Sequence, residues 1–225
     1  KQYAGSWIFE DLGYCAKWLK GSISIPNELL VDAFQSLLEP DNESIIGSLI
    51  FIGFAASEIN ETVIELLTSS SDEISSFALW AVIQFIRSKK IDAVQLLLSF
   101  NIINVLKQAF VDGSYRKKTE SGICVTDMIR FGSTPEAELI LSSGIYFELI
   151  EMLNTQDNQE FAKAFIESIL ILLSRDSNER ILGYISEIVR ITDIFEIIQN
   201  LELSGNEYLG SISRSCLSLL EKFLE

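Results

Sequence analysis

Histidine is missing from this 225-residue chain, and that one absence removes the commonest general base together with the commonest metal ligand. Cysteine is scarce. Cys15, Cys124 and Cys216 are odd in number and widely separated, whereas a disulfide framework needs an even and denser set. They read as reduced thiols packed in helices, which suits a cytoplasmic or nuclear protein. Proline (3) and glycine (12) are few against 48% apolar residues, which excludes a disordered chain. Basic residues are outnumbered 32 to 17, and a net charge of −15 repels phosphates, so nucleic acid is not the expected partner. Long apolar runs are also absent. The greasiest stretch, Ile45 to Ala56, is interrupted by Gly47, Ser48 and Gly53 and is too short to span a bilayer, so no membrane partner is expected. No signal peptide is legible, and the chain opens at Lys1 inside what reads as a helix, as a piece of a longer protein would.

Signatures of catalysis are missing as well. There is no Gly-rich phosphate loop, no GxSxG elbow, and no HExxH or Cys-x-x-Cys spacing, so neither an enzyme nor a bound metal or cofactor is expected. Cys124 lacks a histidine to activate it as a nucleophile. Asp72 and Glu73 fit the first turn of a helix, where acids complement the dipole. Arg116-Lys117-Lys118, the only uninterrupted run of three basic residues, reads as the solvated start of another helix, with an anionic docking patch as the alternative.

What the chain does have is helical periodicity. Apolar residues recur at three- and four-residue intervals in Ser75 to Ile86 and again in Glu160 to Leu173. Strand signals are weak, and polar breaks punctuate the helices. These fall at Glu39 to Asn42, Ser69 to Asp72, Asp112 to Ser114, Asn154 to Asn158 and Ser174 to Asn178, each offering a Ser, Asp or Asn as a helix cap. The breaks repeat. Asn101-Ile102-Ile103, Gly144-Ile145-Tyr146 and Glu187-Ile188-Val189 are each spaced 43 residues from the next. Each follows a short amphipathic segment (Ile91 to Phe100, Pro135 to Ser143, Asn178 to Ser186). Each also precedes an apolar helix (Ile102 to Phe110, Ile145 to Leu153, Ile188 to Gln199), with a longer third helix after a polar break. Asn101 and Gly144 suit such junctions because both tolerate the left-handed conformation that ends many helices.

Short, medium and long helices at this period resemble the armadillo repeat. The best stretch runs from Asp72 to Leu153. Asp72 to Gln84 resembles the third helix of importin-alpha-type repeats, with Trp80 at the Trp of the Trp-x-x-x-Asn motif and Gln84 at its Asn. Arg116 to Met128, followed by Glu138 to Ile145, resembles the next unit, where those two motif positions hold Cys124 and Met128. In the third unit they fall near Ile166 and Leu170, and between Ala56 and Glu61 a first helix has almost no room. The resemblance implies an all-α fold, a right-handed superhelical solenoid. It covers residues 1–225 as a single array of about four to five armadillo-like repeats, the first and last incomplete.

The function implied is a non-enzymatic protein-binding module whose concave groove takes peptides, as in importin-alpha-like nuclear-transport adaptors binding cargo. The alternative is a structural scaffold or subunit of a larger assembly. The groove residues implied are Trp80, Gln84, Glu120, Cys124, Asp127 and Met128. Trp80 and Gln84 share one helix face by their i, i+4 spacing, although a Trp at helical spacing also reads as core; Trp18 reads as core. The apolar later rungs favour an apolar or helical ligand surface, while the charge favours a basic protein or peptide partner.

Overall fold

The computed structural model describes residues 64, 66–87, 93–155, 158–175 and 178–223. Trp18, Cys15, the capping break at residues 39–42 and the truncated repeat near residues 56–61 lie outside them. By its internal contacts the chain divides into two compact units, residues 1–93 and 94–225. In the first, α1 runs from Asp72 to Arg87. The Ser71 hydroxyl accepts a hydrogen bond from the Ile74 amide at its start, and Arg87 stands at its negative C-terminal end. Leu79, Ala81, Val82, Ile83, Phe85 and Ile86 are buried along it.

The second unit is a stack of three repeats, each with three helices. The first repeat holds α2 (Ala93–Ser99), α3 (Ile102–Asp112) and α4 (Tyr115–Phe131). The second holds α5 (Thr134–Ser142), α6 (Ile145–Thr155) and α7 (Gln159–Leu173). The third holds α8 (Glu179–Ile191), α9 (Ile194–Glu202) and α10 (Glu207–Leu220), closed by a short 3₁₀ turn. Equivalent helices pack side by side in layers: α5 on α8, α3 on α6 on α9, and α4 on α7 on α10. Each repeat thus buries its apolar face on its neighbour's, which no single repeat could do alone.

Caps set the helix boundaries. Ser114, Asn158, Asn178 and Asn206 accept backbone amide hydrogen bonds at the starts of α4, α7, α8 and α10. Glu136 accepts from the Ser133 amide at the start of α5. Asn101 (φ 58°) and Gly144 (φ 78°) adopt the left-handed conformation at the first two junctions, as their residue types imply. The third junction differs from the 43-residue spacing. Glu187 lies inside α8, whose buried stripe of Ile181, Ile185, Ile188 and Val189 carries the helix past it to Ile191. Neither Gly nor Asn is present there to stop the helix, so the break comes at Thr192 and Asp193, and α9 begins at Ile194 rather than near Ile188.

Two glycines test this backbone with opposite signs. A Cβ at Gly144 would meet no atom within 4 Å, so Gly144→Val should lose roughly 1–2 kcal/mol from the left-handed φ alone. Gly183 has the same open space but lies in the middle of α8 with ordinary helical φ. Gly183→Ala should therefore gain roughly 0.5–1 kcal/mol. Denaturant midpoints on both variants check the pair; a neutral Gly144→Val would show that the junction needs no special residue.

Candidate functional site

The third helix of each repeat carries one face inward, onto the second-helix layer, and one face outward. On α7 the inward side chains are Phe161, Phe165, Ser168, Ile169 and Leu172, all buried. Glu160 and Lys163 are exposed on the same helix and Glu167 is half-buried, the stripe expected of an amphipathic helix. Because α4, α7 and α10 lie side by side, their outward residues meet across helices.

A polar ladder results. Arg130 near the end of α4 donates to Asp127 at 2.9 Å through Nη1, and its Nη2 lies 2.8 Å from Glu167 of α7. The second Glu167 oxygen accepts a hydrogen bond from Tyr208 Oη of α10 at 2.9 Å. That bond is the main reason the Tyr208 phenol is held above its ordinary pKa, with Arg130 acting in the opposite sense. The Lys163 ammonium sits 4.7 Å from the centre of the Tyr208 ring, a cation–π contact. Side-chain exposure along the ladder is 0% at Asp127, 27% at Arg130 and 17% at Glu167, while Tyr208 as a residue is 52% exposed. The ladder therefore rises from a buried anchor to an open aromatic. Fixed charges and one open ring can hold a cationic or hydrogen-bonding chain; they offer no nucleophile and base pair.

The residues implied by the sequence are placed differently. Cys124 and Met128 are fully buried on α4, within the buried run Ser121 to Ile129. As placed, neither has surface to offer a peptide. Asp127 is buried too, and acts on the ladder by holding Arg130. Glu120 is half-buried and bonded to Arg116 at 2.9 Å. On α1, in the other unit, Trp80 is half-buried and Gln84 is buried. No motif in the sequence marks Lys163, Glu167 or Tyr208, although a period of 43 counted from Cys124 lands on Glu167. The equivalence to Ile166 is one residue short, and one residue turns a helix by about 100°, here from a half-buried acid to a fully buried Ile166.

Other chemistry is thin. Burial pushes the Cys216 thiol up to about 12, well away from a reactive thiolate. A cavity of about 10 Å³ between Tyr146, Ile169, Ile185 and Leu220 has room for about one water-sized sphere. Among the described residues no cluster of Cys, Asp and Glu could hold a metal ion, and no single helix is long and apolar enough to cross a membrane.

No protein-family model matches the chain, and no curated protein matches it. Solved structures do. A designed armadillo repeat protein, YIII(Dq.V1)4CPAF in complex with the peptide (KR)4, is similar with a TM-score of 0.70 at 16% identity, over 91% of this chain and 80% of that one. An engineered protein from a structural-genomics programme gives 0.58 at 16% identity over 95% and 97%. A second designed armadillo repeat protein, YIII(Dq)4CqI, gives 0.53 at 15% identity over 91% and 99%. The chain has an armadillo-like, all-α solenoid fold.

Proposed function

We propose that this armadillo-like array is a non-enzymatic module that binds peptide segments of other proteins, with Lys/Arg-rich segments preferred. The observation that carries the reading is the ladder on the third-helix face, where Glu160 and Tyr208 are exposed beside the half-buried Glu167 carboxylate. Charge supports it: residues 94–225 contain 19 Asp and Glu against 11 Lys and Arg, a field that attracts cationic chains. That a designed protein of similar fold was solved with a (KR)4 peptide agrees with such a use of the face. A repeat array is well suited to it, since equivalent helices recur at a spacing that an extended chain can follow.

The finer reading, an importin-alpha-like transport adaptor working in cytoplasm and nucleus, draws its support from Trp80 and Gln84 on α1. Loss of affinity on Trp80→Ala with an unchanged melting temperature would add α1 to the binding surface; a lowered melting temperature would return Trp80 to the core.

The test of the main reading is a titration of a fluorescent alternating Lys-Arg octapeptide against neutral and acidic peptides of equal length. Saturable binding of the basic peptide is expected, weakening about tenfold or more between 50 and 200 mM salt because the charges involved are surface charges. Preference for the acidic peptide, or no binding by any, rejects the reading and leaves the structural scaffold.

A further inference from the structure

Lys163 makes a choice that its own helix does not explain. On α7 it lies three residues after Glu160 and four before Glu167, both spacings at which ion pairs form. Yet among the described residues it pairs with neither carboxylate. Its ammonium instead crosses to α10 and rests over the Tyr208 ring at 4.7 Å. The ring is held for such a contact. Tyr208 Oη is fixed on Glu167, Glu167 is fixed by Arg130, and Arg130 is fixed by buried Asp127. A second tie comes from Asn206, which caps α10 and donates through its amide to Gln159 Oε1 at 3.0 Å. A pre-organised aromatic face beside a carboxylate is a place for a cation. In the free protein the cation is the chain's own, on a flexible and exposed stem.

We propose that the Tyr208 ring and the Glu167 carboxylate form a subsite for one lysine or arginine side chain of a bound peptide, and that Lys163 fills this subsite until the ligand displaces it. The proposal rests on the peptide-binding reading above and adds its regulation. Lys163 is an internal competitor. It keeps the ring covered in the absence of ligand and sets a threshold that a weakly basic chain does not pass. A peptide cation gains the ring, next to a Glu167 carboxylate already shared by Arg130 and Tyr208, while the released Lys163 swings back toward Glu160 or into water. A neutral or acidic side chain cannot replace it.

The experiment is a double-variant cycle read by anisotropy with the fluorescent alternating Lys-Arg octapeptide at low salt. Lys163→Met should tighten binding by roughly two- to fivefold, the worth of one exposed cation–π contact. In a Tyr208→Ala background the same change should bring no gain, because there is no ring left to uncover. Unchanged or weaker binding by Lys163→Met overturns the proposal. So does an equal gain with and without Tyr208, which would mean simple removal of a repelling charge. Wild-type protein that binds no basic peptide rejects the peptide-binding reading itself, a separate outcome. A measurement on the unaltered protein stands beside the cycle. The Lys163 ε-methylene proton signals should be shifted upfield by the Tyr208 ring in the free state and lose that shift at peptide saturation; persistence of the shift in the complex overturns the displacement.

Discussion

Phe165→Ala is expected to cost roughly 3–5 kcal/mol of unfolding free energy, a large share of the 5–15 kcal/mol typical of a whole domain. Phe165 has no exposed surface. Its ring stacks on Tyr146 with centroids 5.1 Å apart and lies 6.2 Å from Phe161, so the three aromatics join α6 to α7 at the heart of the second repeat. Truncation removes the transfer energy of the ring and leaves a void walled by helices that two neighbouring repeats hold in place, so little collapse can repair it. Tyr146→Phe provides the contrast. Burial raises the Tyr146 phenol pKa far above its ordinary value, and its hydroxyl lies 3.0 Å from Ser168 Oγ. Ser168 also donates to the Phe165 carbonyl at 2.7 Å, so removing the phenol oxygen leaves no stranded donor and should cost only about 1 kcal/mol. Urea denaturation of both variants checks the pair. A Phe165→Ala cost no larger than that of Tyr146→Phe would mean that the repeat is not held by this aromatic cluster.

The layered fold was legible because its signals are local. Ser114, Asn158 and Asn178 cap the helices that their polar breaks announce, and Asn101 and Gly144 turn the chain where a left-handed residue is needed. Where the local signal fails, so does the reading. At Glu187 an apolar triplet matched the period but no stop residue accompanied it, and α8 continued through. The candidate site was less legible because it depends on rotation about a helix axis. Matching Cys124 to Ile166 instead of Glu167 is a one-residue shift, and it exchanges the core-facing stripe for the open one. Motif positions on α4 differ in burial from what their spacing implies. Cys124 and Met128 occupy places where a recognition pair stands in importin-alpha-type repeats, but apolar side chains there are packed away from water, and Cys124 and Met128 are fully buried. The ladder itself joins Arg130, Glu167 and Tyr208 across three helices, and no spacing within any one helix announces it.

Arg175→Met should destabilise the second unit by roughly 2–3 kcal/mol, although Arg175 lies in a turn that sequence alone marks only as a polar break. Its guanidinium reaches from the end of α7 back to the end of α4. There Nη2 donates to the carbonyls of Gly132 at 2.7 Å and Ile129 at 3.1 Å, and Nη1 donates to that of Ser133 at 3.4 Å. The last carbonyls of a helix have no partner within it, so one planar cation satisfies groups that a repeat stack would otherwise leave to water. Position adds to this, because the C-terminal end of α4 carries the negative pole of its dipole. Burial pulls the guanidinium pKa below its ordinary value while nearby Glu136 opposes the shift, and the group remains charged at any ordinary pH. Met preserves the apolar stem but strands the Ile129 and Gly132 carbonyls, whereas that of Ser133 keeps the Ala137 amide. Arg175→Lys separates geometry from charge: a single ammonium cannot match the fork of donors, so it should recover less than half of the loss. Denaturant titration measures both variants, and hydrogen exchange at the Gly132 amide, which closes α4 on the Met128 carbonyl at 2.9 Å, should quicken in Arg175→Met. Full recovery by lysine would reduce the role to a charge at a helix end, and a neutral Arg175→Met would show that the repeats are fastened by their apolar faces alone.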